Sequence, residues 1–179
     1  MSNVWPSVTF LCHDTAMLSF LAFLLALALA PQQPPSATSG TFISPDEVAA
    51  TLKQSIANNV VDQPIKGLSV NGHRASVAML HRKVAETSAL IHDRASEIYQ
   101  ILEGSGTIVT GGTLLDPKPS DLTRLGAGPS HTGTAQGGES RHVGPKDIII
   151  IPAGMAHHFS QLDGPISYLV FRFDPKGGE

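Results

Sequence analysis

Hydrophobic positions along this chain follow three successive patterns. Met17 to Ala30 (MLSFLAFLLALALA) is an uncharged run of 14 residues. Between Ser44 and Asn58 the apolar residues Val48, Leu52 and Ile56 recur every four positions, which predicts an amphipathic helix. Ser44-Pro45-Asp46-Glu47 supplies its start, with Ser44 as cap, Pro45 in the first turn and Glu47 able to return a hydrogen bond. From Leu68 onward the rhythm becomes that of short strands. Leu68–Val70 and Ala75–Leu80 flank Asn71-Gly72, a dipeptide suited to a two-residue hairpin turn. Further strands are predicted at Ser88–Ile91, Glu97–Leu102, Thr107–Thr110, Ser140–Val143, Asp147–Ile151, His157–Leu162 and Ile166–Phe173. The four successive isoleucines before Pro152 read as a strand buried on both faces. Gly111 to Gly138 is poor in apolar residues and reads as a long loop over the mouth of a pocket. Short strands with Gly and Pro turns and no helices between them predict an all-β antiparallel barrel or sandwich.

The apolar run near the start is short of the ~20 residues that span a membrane and right for the core of a signal peptide. Ala28-Leu29-Ala30 has the small-x-small pattern of a cleavage site. Against this, residues 1–16 hold no Lys or Arg, Pro31 would follow the cut, and Met17 is an alternative start. A buried helix is the competing reading, but Pro31 to Gly40 (PQQPPSATSG) has the composition of a tether. The expected organisation is a signal peptide or membrane anchor over 1–30, a linker over 31–42, the helix and lead-in over 43–66, and the β-domain over 67–175. The expected location is secreted or periplasmic, with an uncleaved leader as the only membrane contact.

With 12 basic and 15 acidic side chains, a net charge of −3, no broad cationic face for nucleic acid is expected. Cys12 is the single cysteine, so no internal disulfide can form.

Two stretches carry the candidate chemistry. In the first, Glu97 opens a β-favouring run and shares a face with Tyr99 and Ile101. A carboxylate on such a face is costly unless paired, hydrogen-bonded or bound to metal. His92 stands five residues earlier, across a polar bend. In the second, Pro152-Ala-Gly154 turns the chain and His157 opens the next strand. Two imidazoles and a carboxylate suffice to hold Zn, Fe, Mn, Ni or Cu as a divalent ion with positions left open.

At these residues the chain resembles the cupin superfamily. His92, Glu97 and Gly104 keep the spacing of its first motif, and Asp147, Pro152, Gly154 and His157 keep that of its second. The resemblance covers about Leu68 to Asp174 and implies a single jelly-roll β-barrel with a divalent metal bound by His92, Glu97 and His157. The chain departs from the pattern at Leu90, where the family has its first histidine, at Lys146, where it has glycine, and at Gln161, where asparagine is frequent. His81 is a candidate substitute ligand.

Tyr99, Gln161 and His142 are the candidates for orienting a substrate or moving protons, with core packing an equal reading for Tyr99. His131 and His158 read as ordinary loop or surface histidines. Arg172, between Phe171 and Phe173, reads as outward. Arg82 and Arg94 read either as contacts for an acidic substrate or as solvated charges. The leading expectation is an exported metal-dependent enzyme, a dioxygenase, isomerase or lyase, acting on a small organic molecule. The alternatives are a non-catalytic binder of a small molecule or sugar, and a metal-free structural barrel. A homodimer is expected through exposed strand edges.

Overall fold

A computed structural model of the protein describes residues 39–178. The leader and most of the linker lie outside the described residues. Among the described residues no helix is long and apolar enough to cross a membrane.

The helix α1 (Pro45–Asn58) starts where the capping signal places it, Ser44 Oγ accepting from Glu47 N at 3.2 Å. It ends at Asn59, whose left-handed conformation (φ 53°) returns its N–H to Ile56 and Ser55 carbonyls. The helix packs on β1 (Asp62–Val70) and β2 (His73–Arg82), where Met79 is buried on the outer side of the sheet. Its buried residue is Ser55; Val48 and Leu52 are half-buried, as predicted, and Ile56 is exposed, so the predicted stripe departs only at its last position.

Asn71 and Gly72 both take positive φ and join β1 to β2, as their sequence implies. β1 begins at Asp62, five residues ahead of the predicted domain start, and holds Pro64 at a register shift. It is an edge strand, where a missing N–H is tolerated.

The remaining strands are β3 (Ala89–His92), β4 (Ser96–Glu103), β5 (Gly106–Thr110), β6 (Thr113–Leu122), β7 (Gly128–Gln136), β8 (Glu139–Val143), β9 (Ile148–Ile151), β10 (His157–Leu162) and β11 (Ile166–Asp174). Two antiparallel sheets form, in the orders β1-β2-β11-β4-β9 and β6-β7-β3-β10-β5-β8. This is a double-sheet jelly-roll barrel. Tyr99, Ile101, Ile108, Ile151, Phe159, Tyr168 and Val170 make the core between the sheets. Tyr168 is its centre, with ring centroids 4.9 Å from Tyr99 and 5.4 Å from Phe159.

Two strand expectations are corrected. Gly111–Gly138 is not a covering loop but a long hairpin, β6 and β7, closed by a 3-10 turn over Thr123–Leu125. Its strands are mostly exposed or half-buried, so their polar sequence has no core face to betray them. Prolines sit in β6 because it is an edge strand. β9 is likewise an edge, and only Ile151 is fully buried. Ile148 and Ile150 are 63% and 69% exposed on the outer face.

Gly104 shows why the first motif ends on glycine. Its φ is +76°, and a β-carbon there would collide with the carbonyl of Pro165 and lie 2.9 Å from Ile166 Cα. Gly104→Ala is therefore expected to lower unfolding free energy by about 1–3 kcal/mol, read from urea denaturation.

Candidate metal centre

The two motif stretches meet through the backbone before they meet through side chains. Gly154 N, in the turn before β10, donates to the carbonyl of His92 at 2.8 Å. Gly154 has φ +80°, a conformation that favours glycine, and it lets the turn close onto the end of β3. Leu90 on β3 and His157 on β10 are direct register partners. Glu97, second residue of β4, faces inward from the opposite sheet beside Ile151 and Arg172. Asp147 closes the turn before β9 by accepting from Gly144 N, while Lys146, in place of the family's glycine, adopts φ 78°.

The result is one cluster of His92, Glu97 and His157, each less than 5% exposed. One ligand atom from each lies within 4.8 Å of the others. His92 Nε2 is 3.3 Å from Glu97 Oε1, and His157 Nε2 is 3.3 Å from Glu97 Oε2. Two atoms each about 2.1 Å from one tetrahedral ion stand roughly 3.4 Å apart, so the spacing fits a shared ion.

The outer ring nitrogens decide which way the lone pairs point. His157 Nδ1 is 3.0 Å from the carbonyl of Met155, which can only accept, so Nδ1 carries the proton. Ser130 Oγ donates to the carbonyl of Gly128 at 3.0 Å. It therefore accepts from His92 Nδ1, 2.8 Å away. Nδ1 is the outward donor on both rings, so in its neutral form each imidazole turns a bare Nε2 toward Glu97, the tautomer that a metal requires. His157 Nε2 has no hydrogen-bond partner among the described residues despite its 3.3 Å approach to the carboxylate. Two lone pairs facing an anion repel unless a proton or a cation lies between.

Glu97 has two further partners. Tyr99 OH donates to Oε2 and Arg172 Nε donates to Oε1, both at 2.8 Å. A carboxylate offers about four lone-pair sites, so one per oxygen remains. Burial by itself would push the Glu97 carboxyl up. The imidazole contacts of His157 and His92 and the charges of His92 and Arg172 override it and hold it well below the ordinary range. For Tyr99, burial first and the Glu97 charge second push the phenol well above its ordinary value, so it stays a donor. Burial lowers His157, but Glu97 outweighs it and raises the imidazole.

Arg172 is the residue that sequence reasoning misplaced. It points inward and is 4% exposed, with Asp62 Oδ2 at 2.6 Å and the Leu125 carbonyl at 2.7 Å completing its partners. The available signal was parity, because Arg172 alternates with Tyr168 and Val170 on the face that fills the core. Phe173, by contrast, is half exposed.

Of the predicted proton-moving residues, Tyr99 alone belongs to the cluster, and it holds the carboxylate. Gln161 is exposed because a register shift between Phe159 and Gln161 breaks the alternation that linked it to His157. His142 is exposed and pairs with Asp163 at 2.8 Å. His81 bonds Ser167 at 3.0 Å, away from the cluster, and His131 pairs with Asp93 at the surface. Arg82 is occupied by Tyr168 OH at 2.7 Å and Glu86 at 2.9 Å.

No protein-family description and no curated protein matches the chain. Similar solved structures include a Bacillus halodurans protein at 16% identity, covering 79% of this chain and 87% of that one with a TM-score of 0.47. A cupin protein from Bacteroides fragilis is 20% identical over 60% of this chain and 70% of its own, TM-score 0.36. A Streptomyces protein solved with uridine, PAC13, is 13% identical over 62% and 75%, TM-score 0.36.

Removing Arg172 leaves Glu97 buried and Asp62 without its strongest partner. Arg172→Met in metal-free protein is expected to cost about 3–5 kcal/mol of unfolding free energy in urea, whereas a surface arginine would cost under about 1 kcal/mol. The described residues form a jelly-roll barrel that resembles the cupin fold, with its two motif stretches hydrogen-bonded to one another beside the His92, Glu97 and His157 cluster.

Proposed function

We propose that this protein binds a divalent transition metal through His92, Glu97 and His157 and uses it on a small organic molecule. The observation that carries the reading is two imidazole Nε2 atoms, each 3.3 Å from one buried carboxylate, on rings whose Nδ1 atoms are already bonded outward. A divalent ion held there supplies Lewis-acid activation of a bound oxygen or carbonyl group. The chain's own residues do the rest. Met155 and Ser130 fix the imidazole tautomers, Tyr99 and Arg172 fix the carboxylate plane, and the apolar core around Tyr168 excludes water. Leu90, in register with His157, presents hydrocarbon where the family pattern has another imidazole. That leaves three protein ligands and at least one coordination position for water or substrate on the bound ion. Oxidation, isomerisation and elimination all fit this set, and fold does not choose among them.

One observation favours a non-catalytic reading. The cluster is almost closed to solvent, and Arg172 already neutralises Glu97. On that reading the barrel stores the ion or holds a small ligand without turning it over. Export through the Met17–Ala30 leader is retained as part of the proposal, on the sequence pattern alone.

Titration with Zn²⁺ or Mn²⁺ after chelator treatment separates these from a metal-free barrel. One ion per chain is expected, with binding abolished in His157→Ala and tightened about tenfold in Leu90→His. Affinity should fall as pH drops, because the raised His157 imidazole takes up the proton that competes with the ion. Absence of stoichiometric binding, or binding unchanged in His157→Ala, contradicts the proposal.

A homodimer is proposed through the outer face of β9, where Ile148 and Ile150 offer apolar surface. Sedimentation should give twice the chain mass, and Ile150→Lys should return the monomer.

A further inference from the structure

Away from the candidate metal ligands, Arg74, Arg94 and Lys176 are among the residues that line one small cavity. Its volume is about 200 Å³, and its lining includes Arg74, Arg94, Lys176, Asp174, Gly126 and Gly128. Arg74 and Asp174 are direct register partners on β2 and β11. Arg94 nevertheless takes the carboxylate, its Nη2 standing 3.0 Å from Asp174 Oδ2. Asp174 Oδ1 is occupied by the backbone N–H of Lys176 at 2.9 Å. Among the described residues neither Arg74 nor the Lys176 ammonium enters an ion pair.

Donors are also left over. Arg74 Nε, Arg94 Nε and the nearby Ser76 Oγ are buried atoms with no hydrogen-bond partner among the described residues. Buried donors without acceptors cost stability, so donors left over on residues lining or beside one cavity call for an acceptor there, water or an anion. Arg74 Nε and Ser76 Oγ face the same side of Gly126, where a β-carbon would lie 3.5 Å and 2.7 Å from them. A β-carbon on Gly128 would lie 3.1 Å from Asp174 Oδ2 and 3.6 Å from Arg94 Nη2. Both glycines have positive φ, so the turn between β6 and β7 passes the cavity without filling it.

We propose that this cavity binds a phosphate-type dianion, either inorganic phosphate or the phosphate group of a small ester. Three cations set against one carboxylate leave an excess of two positive charges, which matches a dianion better than a monocarboxylate. Guanidinium N–H groups and a hydroxyl are the donors that phosphate oxygens accept from. The site is separate from the metal ligands, though the two adjoin. Leu125, just before Gly126, accepts from the same Arg172 that holds Glu97. The inference does not depend on the metal reading.

Calorimetric titration of the full chain at constant ionic strength, with chelator present, tests it. Inorganic phosphate should bind and acetate should not. Arg74→Gln should weaken phosphate at least tenfold and Lys176→Gln about threefold. Arg74 has no ion-pair partner to lose, so Arg74→Gln should melt at the wild-type temperature without phosphate. Lys176→Gln serves as the readout if Arg74→Gln fails to fold. His157→Ala should keep its phosphate affinity. Glycerol phosphate, tested against glycerol, separates the sources: tighter binding than inorganic phosphate assigns the site to esters, and weaker binding assigns it to the free ion. No phosphate binding beyond the acetate control, or equal affinity in wild type and both variants, overturns the proposal.

Discussion

One buried carboxylate sets the terms for this structure. Glu97 sits between two sheets where an isolated charge would be untenable, and four side chains from four different strands converge on it. Tyr99 and Arg172 each donate to one of its oxygens. His92 and His157 turn nitrogen lone pairs toward it. Hydrogen bonds account for the first pair of contacts; in the second, neutral imidazoles set acceptor against acceptor unless a proton or a cation lies between. The barrel holds this arrangement through backbone bonds such as Gly154 to His92, so the imidazoles cannot relax away without opening the turn before β10. The need for positive charge between imidazole and carboxylate is the physical ground for proposing a cation there.

The same centre explains why the charges around it form a chain and not a single pair. Asp62 returns to Arg172 the negative charge that Glu97 shares with the imidazoles. Without Asp62, Arg172 would bind the carboxylate as a closed ion pair and compete more strongly with a metal. With it, the guanidinium is divided between two carboxylates, and Glu97 keeps capacity for a further partner. Asp62 belongs to β1, outside both motif stretches, so the reach of the site extends to the first strand of the barrel.

Much of this was legible in the sequence, and the reasons for success and failure are physical. His92, Glu97 and His157 were recoverable because spacing within a strand and across a tight turn fixes where a side chain points. Gly104 carried its message because a β-carbon there would collide with the Pro165 carbonyl, and Gly154 because its φ of +80° favours glycine. The β6–β7 hairpin was not legible, since strands with little buried face lack the alternation that marks a strand. Ile148 and Ile150 misled in the opposite sense, being apolar residues on the open side of an edge strand. Gln161 was lost to a bulge, which changes parity without any composition signal. Arg172 was misread because its burial depends on Asp62 and Glu97, partners 110 and 75 residues away in sequence.

The central claim is that the three side chains ligate one ion. X-ray diffraction from crystals grown with Mn²⁺ or Zn²⁺, collected on both sides of the metal absorption edge, tests it most directly. The account predicts one anomalous peak about 2.0–2.3 Å from His92 Nε2, His157 Nε2 and a Glu97 oxygen, with both Nδ1 contacts preserved. A cluster that shows no peak, with each imidazole protonated and hydrogen-bonded to Glu97, would contradict it.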